Sequence, residues 1–143
     1  MKRIAGMLFA LALVAGHFAT AHAETIGESD RATIKSLITG QIEAFQRDDG
    51  AAAYGLASPM IHNYFPTVDA FMGMVKNGYQ PVYRPQSVTF GELVETDLGP
   101  MQKVFVTGPD GKNYVAIYSM QRQPDGTWLI NGCSLVQDES PSI

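Results

Sequence analysis

From Ser29 to Asp49 the apolar residues Ile34, Leu37, Ile38, Ile42 and Phe45 recur at spacings of three and four, the period of one helix face. Ser29 or Asp30 is expected to accept the unpaired amide hydrogens at its start, and Asp48-Asp49-Gly50 to end it. Gly40 in the middle costs about 1 kcal/mol against alanine, which marks either close packing or a weak point. Ala51 to Ala57 predicts a short second helix broken by Ser58-Pro59, and Met60 to Phe65 a further helical turn before Pro66. Thr67 then caps a helix whose buried side carries Phe71, Met72 and Val75, with Asn77-Gly78 as a left-handed stop.

After Gly78 the period changes. Ser87 to Thr96, Met101 to Thr107, Asn113 to Gln121 and Thr127 to Val136 are rich in β-branched and aromatic residues, and tight-turn residues separate them: Asp97-Leu98-Gly99-Pro100, Gly108-Pro109-Asp110-Gly111 and Pro124-Asp125-Gly126. Short connections force antiparallel neighbours, so the four strands predict a meander. Helices first and strands afterwards is the α+β pattern, with the helices on one face of the sheet. In the third strand Tyr114, Ala116, Tyr118 and Met120 point one way, while Val115 and Ile117 point the other. Both faces are apolar, so the outer one calls for cover by curvature, by another segment or by a second copy of the chain. Val104 and Val106 are expected to extend that outer patch, and Glu92 to share a face with Val88, Phe90 and Val94.

The N-terminus follows a different logic. Lys2 and Arg3 precede an almost unbroken apolar run from Ile4 to Ala19, and Ala21-His22-Ala23 is a small-x-small cleavage site, together a secretory signal peptide over residues 1–23. The expectation is a periplasmic or secreted protein with a single α+β domain over residues 24–137 and a frayed tail over 138–143. Loss of the leader leaves 120 residues with eight basic and fourteen acidic side chains, a net charge of −6. Phosphate backbones and anionic bilayers repel such a chain, so neither nucleic acid nor membrane is an expected partner. Cys133 is the single cysteine and cannot pair within its own chain. It alternates with apolar neighbours and reads as a small buried side chain without a disulfide.

Candidate chemistry is sparse. Without the leader His62 is the sole histidine, and no paired-ligand spacing exists, so neither a metal nor another cofactor is expected. His62 is a candidate general base, set against a backbone-bonded histidine between Pro59 and Pro66. Asp69, a carboxylate among apolar residues, is the other candidate base, set against an acid favoured by the dipole of a helix's first turn. Tyr79, Tyr83 and Arg84 form the densest aromatic and polar group, stiffened by Pro81 and Pro85 and suited to an anionic or carbonyl ligand. Its plainer reading is a packed Tyr83 with Arg84 neutralising a surface carboxylate. Met60, Met72, Met74 and Met120 are either core or the lining of a pliable cavity, and Trp128 is a sheet-to-helix anchor.

Ser58-Pro59, Phe65-Pro66-Thr67, Phe71-Met72, Met74-Val75, Gly78-Tyr79, Pro81-Val82-Tyr83-Arg84-Pro85, Ser87-Val88, Phe90-Gly91, Gln123 to Trp128 and Gly132-Cys133 resemble a family of small exported bacterial proteins, domain of unknown function 4864. That resemblance covers nearly all of the chain after the leader and implies no activity. Such proteins look like the wider nuclear-transport-factor-like (cystatin-like) architecture, whose helices pack into a curved sheet around a cone-shaped cavity and which serves enzymes and binding subunits alike. The expected function is a non-enzymatic module that binds a small apolar or weakly anionic ligand, or another protein. One alternative is an isomerase or dehydratase using Asp69 or His62 as base and Tyr79 or Tyr83 as donor to an oxyanion. The other is a homodimeric interaction subunit without a ligand.

Overall fold

A computed structural model describes residues 26–139. The expected leader and the last four positions of the expected tail lie outside the described residues. Five helices come first: α1 (Glu28–Gln46), α2 (Gly50–Gly55), α3 (Pro59–Tyr64), α4 (Val68–Gly78) and α5 (Gln80–Tyr83). Four strands follow: β1 (Ser87–Thr96), β2 (Gly99–Thr107), β3 (Asn113–Arg122) and β4 (Trp128–Gln137). They lie in the order β1-β2-β3-β4 with every neighbouring pair antiparallel, so the chain is an α+β fold of helices packed on an open meander. Each hairpin turn holds a glycine at positive φ, Gly99, Gly111 and Gly126, where a Cβ would be strained.

One core joins the two layers. Ile34, Ile38, Ile42 and Phe45 of α1 pack with Phe71, Met72 and Val75 of α4 against Val104, Val106, Ala116, Tyr118, Met120, Trp128 and Ile130 of the sheet. Trp128 also anchors the layers by a polar contact, its Nε1 donating to Asp30 Oδ1 at 3.1 Å. Arg122 reaches the other oxygen of that carboxylate at 2.7 Å and lies over the indole at 4.8 Å. Asp30 is therefore a staple to the β3–β4 hairpin, and the α1 N-cap is Gly27, with no side chain bonding to the first amides. Gly40 has open space, since a Cβ there would meet only Leu56 Cδ1 at 3.7 Å, so it is a weak point and not a close crossing. Thr67 caps α4 as expected, its Oγ1 accepting from Ala70 N at 3.1 Å. Gly78 is not left-handed. The chain runs through Tyr79 into α5, because a proline in a helix's first turn starts helix instead of stopping it.

Two β-bulges revise the strand faces. Phe90 pairs with Val104 and Leu93 with Gln102, so Gly91 and Glu92 together oppose Lys103. The extra residue flips the alternation: Glu92 leaves the Val88 and Phe90 face and meets Lys103 Nζ at 3.0 Å outside. Buried Gln102 satisfies the bulge, its Nε2 donating to Gly91 O at 2.9 Å. In β4, Ser119 pairs with Gly132 and Met120 with Ile130, leaving Asn131 as the extra residue. Val104 and Val106 are buried on the inner face, opposite Ala116 and Tyr114, and so do not join Val115 and Ile117. The residue beside Val115 on the outer face is Phe105. At the other end of the chain Asp138 is still tied to the sheet, its amide donating to Asn113 O at 2.8 Å.

Candidate functional site

The α2–α3 linker docks on the edge of the sheet, which fixes where α3 begins. Ile130 N donates to Leu56 O at 2.9 Å, Ser58 N to Ile130 O at 2.8 Å, and the Ser58 hydroxyl to Asn131 Oδ1 at 2.7 Å. Pro59 then opens α3, with its φ already set for a first turn. The helix leans over the sheet without burying any of its residues. Beneath it lies a cavity of about 270 Å3. Gln41 and Phe45 of α1, Met60, Ile61 and Tyr64 of α3 with Phe65 just after it, Phe71 and Met74 of α4, Tyr79, and Val82 of α5 form its upper walls. Tyr118, Ile130, Gly132 and Cys133 form its floor. Met60 and Tyr64 are 44% and 75% exposed and stand at the mouth.

Among the described residues, no charged side chain lines this space. Gln41 turns its Nε2 to Ala53 O at 3.1 Å, which leaves the Tyr64 hydroxyl at the mouth and, inside, the Tyr79 and Tyr118 hydroxyls and the Cys133 thiol, close enough that Cys133 acts on both phenols. Tyr118 and Cys133 are direct cross-strand partners. The Tyr118 hydroxyl is buried and has no well-formed hydrogen bond among the described residues, although the thiol lies close enough to couple to it electrostatically. Burial pushes the Cys133 thiol up to about 12, raises the Tyr118 phenol well above its usual range, and raises Tyr79 as well, with the neighbouring Cys133 adding to the last two. All three therefore stay protonated at neutral pH and act as neutral donors. Cys133 is free and only partly buried, in the wall of the cavity and not in closed core.

Of the residues singled out by sequence, Tyr79 lines the cavity, and Tyr83 and Arg84 do not. They grip the end of α1. Arg84 Nη2 pairs with Asp48 Oδ2 at 2.8 Å, its Nη1 donates to Phe45 O, and its guanidinium stacks 4.0 Å from the centre of the Tyr83 ring. The Tyr83 hydroxyl donates to the same Asp48 carboxylate, which the bonds from Tyr83 and Arg84 hold below the usual carboxylate value. His62 is stacked on Tyr54 at 3.9 Å with an angle of 8°, and its Nε2 donates to Tyr54 O at 2.8 Å. Asp69 is exposed in the first turn of α4. Neither lines the cavity, so the two candidate bases and a tyrosine hydroxyl do not converge on one enclosed space. Met60 and Met74 line it, whereas Met72 and Met120 are core.

Tyr118 lines the site without a motif to flag it, and Phe65 and Cys133, though part of the motifs noted above, are not marked by them as cavity residues. The signal for Tyr118 was its place on the inward face of a strand, where a phenol has to find a partner. Among the described residues no three His, Cys, Asp or Glu side chains gather to hold a metal ion, and no helix is long and apolar enough to cross a membrane. Comparison with curated proteins and with solved structures gives no match. A family profile does match, over residues 27–143, and the chain accordingly belongs to the family described as domain of unknown function (DUF4864).

Proposed function

We propose that this is an exported, non-catalytic module that binds a small apolar ligand in the cavity between α1, α3, α4, α5 and the sheet. The observation that carries the reading is the lining: aromatic rings, methionines and aliphatic side chains, with polar atoms few and uncharged. An apolar space of roughly 150 Å3 already holds a benzene ring, so about 270 Å3 suits a ligand of two fused rings or a short branched chain. The cavity-bearing nuclear-transport-factor-like architecture that the family resembles supports the same reading, and the separation of His62 and Asp69 from the cavity favours binding over catalysis. N-phenyl-1-naphthylamine, a neutral dye that brightens in apolar surroundings, is expected to bind protein recovered from the periplasm. Met74→Trp fills the space from α4 and is expected to abolish the signal while the protein still melts cooperatively. A wild-type protein that leaves the dye dark, or a variant that binds it unchanged, defeats the reading.

A second reading, self-association through the outer sheet face, has one observation in its favour. Phe105, Val115 and Val136 stand in a single register row across β2, β3 and β4, with Phe105 42% and Val136 53% exposed. Ile117→Lys on the same face is then expected to turn a dimer into a monomer in light scattering. A wild-type protein that is monomeric at high micromolar concentration removes this reading and leaves the first untouched.

A further inference from the structure

Inside its mouth the cavity is apolar except where Tyr79, Tyr118 and Cys133 come together, and that side has a chemical character of its own. Tyr118 and Cys133 face each other across β3 and β4, and Tyr79 closes over them from the start of α5. The Tyr118 hydroxyl is buried with only the Cys133 thiol near it and no well-formed hydrogen bond among the described residues, and the Tyr79 ring stands beside them, partly buried. A buried hydroxyl left unpaired is a standing cost, and native chains carry few of them. Nothing in the fold requires a phenol at this place: a phenylalanine at position 118, between Gln102 and Cys133 on the neighbouring strands, would fill nearly the same volume without the cost. The nearest acceptor to the Tyr118 hydroxyl is the Cys133 sulfur, which is a weak one and leaves that hydroxyl without a well-formed hydrogen bond.

We infer that the ligand presents an uncharged hydrogen-bond acceptor, of the ketone, ester or amide carbonyl class, to the Tyr118 and Tyr79 hydroxyls on this wall. The inference rests on the cavity being the binding site and adds the class of molecule it selects. A hydrocarbon leaves the donors unmet, an alcohol accepts but brings a further donor that needs an acceptor of its own, and a carboxylate brings a charge into a space lined by no cation among the described residues, since Arg84 is turned outward to Asp48. A carbonyl accepts two hydrogen bonds without carrying charge, so it can engage both hydroxyls together. The thiol, with a weak donor and a soft surface, gives way beside it.

The test uses matched bicyclic probes, tetralin, 1-tetralone and 1-naphthoate, competed against N-phenyl-1-naphthylamine. Tyr118→Phe is expected to weaken 1-tetralone by roughly ten-fold, the equivalent of about 1.4 kcal/mol, and to leave tetralin unchanged. The carbonyl stretch of bound 1-tetralone should lie at lower frequency in wild type than in the variant. The unliganded variant should melt no lower than wild type, because an unpaired buried hydroxyl has been removed. Tyr79→Phe should show the same selectivity, and 1-naphthoate should not compete. Equal losses for tetralone and tetralin, an unshifted stretch, a Tyr118→Phe protein that melts clearly lower, or naphthoate binding above tetralone each overturn the inference while the apolar-cavity reading stands. Failure of tetralin and tetralone alike to displace the dye, or of the dye to bind at all, takes down that reading and the inference with it.

Discussion

At Asp48 the chain does two things at once. The residue ends α1 in the left-handed region, φ 56°, which aspartate tolerates better than most side chains, and it offers its carboxylate to residues 35 and 36 positions away. Its pKa is depressed, so the stabilisation it contributes is present above the ordinary value of 3.8 and is lost as pH falls through the lower folded value. Asp48→Asn keeps the backbone preference and removes the charge. The variant is expected to melt below wild type at pH 7, with the difference closing in titrations taken under pH 3; a gap that persists in acid would mean that the loss is steric. This residue also explains what was legible in Tyr83 and Arg84. Their stiffness and polarity could be read from the flanking prolines, but the acid that claims them comes from the far end of a helix and has no signature near them. Cys133 was legible as an apolar neighbour in a strand, yet its position on a cavity wall depends on Tyr118 and Tyr79, fifteen and fifty-four positions away in the chain.

The elements themselves were open to reading because their punctuation is local. Three glycine-bearing turns delimit the four strands, and a threonine cap and a Pro-rich break delimit the helices, so their ends lie within a few residues of the expected ones. Bulges escaped because strict alternation carries no mark for an inserted residue. Gly91 is the one trace, a position where a Cβ would stand 2.6 Å from Phe105 Cε2. The bulge also accounts for a polar side chain in the core: Gln102 is 5% exposed because the carbonyls of Gly91 and Glu92 need a donor there. Gln102→Leu preserves bulk and removes that donor. It is expected to lower stability by about 1–3 kcal/mol in urea unfolding, the cost of a buried acceptor left unpaired. A neutral outcome would show that water reaches the bulge from the groove that α1 and β1 share.

Across the whole molecule, the cavity is a property of how the layers fail to meet, and no stretch of sequence encodes it. α1 and α5 pack onto the sheet and α4 packs chiefly on α2 and α5, while α3 meets the sheet only along β4, where the linker docks at Ser58. Of what holds α3, little is hydrophobic burial. One end is tied to β4, and the other is tied through the Tyr54 hydroxyl to Phe65 O at 2.6 Å and through His62 to Tyr54 O. A roof fastened at its ends and unburied along its length opens at small cost compared with unfolding the core. For the ligand proposed above, the fastening would then decide how long it stays, and the walls below how tightly it is held. His62→Ala should raise the association and dissociation rate constants of N-phenyl-1-naphthylamine together in stopped-flow, with Kd nearly constant; a change in Kd alone would place His62 in the binding surface instead. On the proposed ligand-binding reading, the loading clock would sit in a histidine outside the cavity lining, so that the time to fill and the time to release could be altered without altering what is bound.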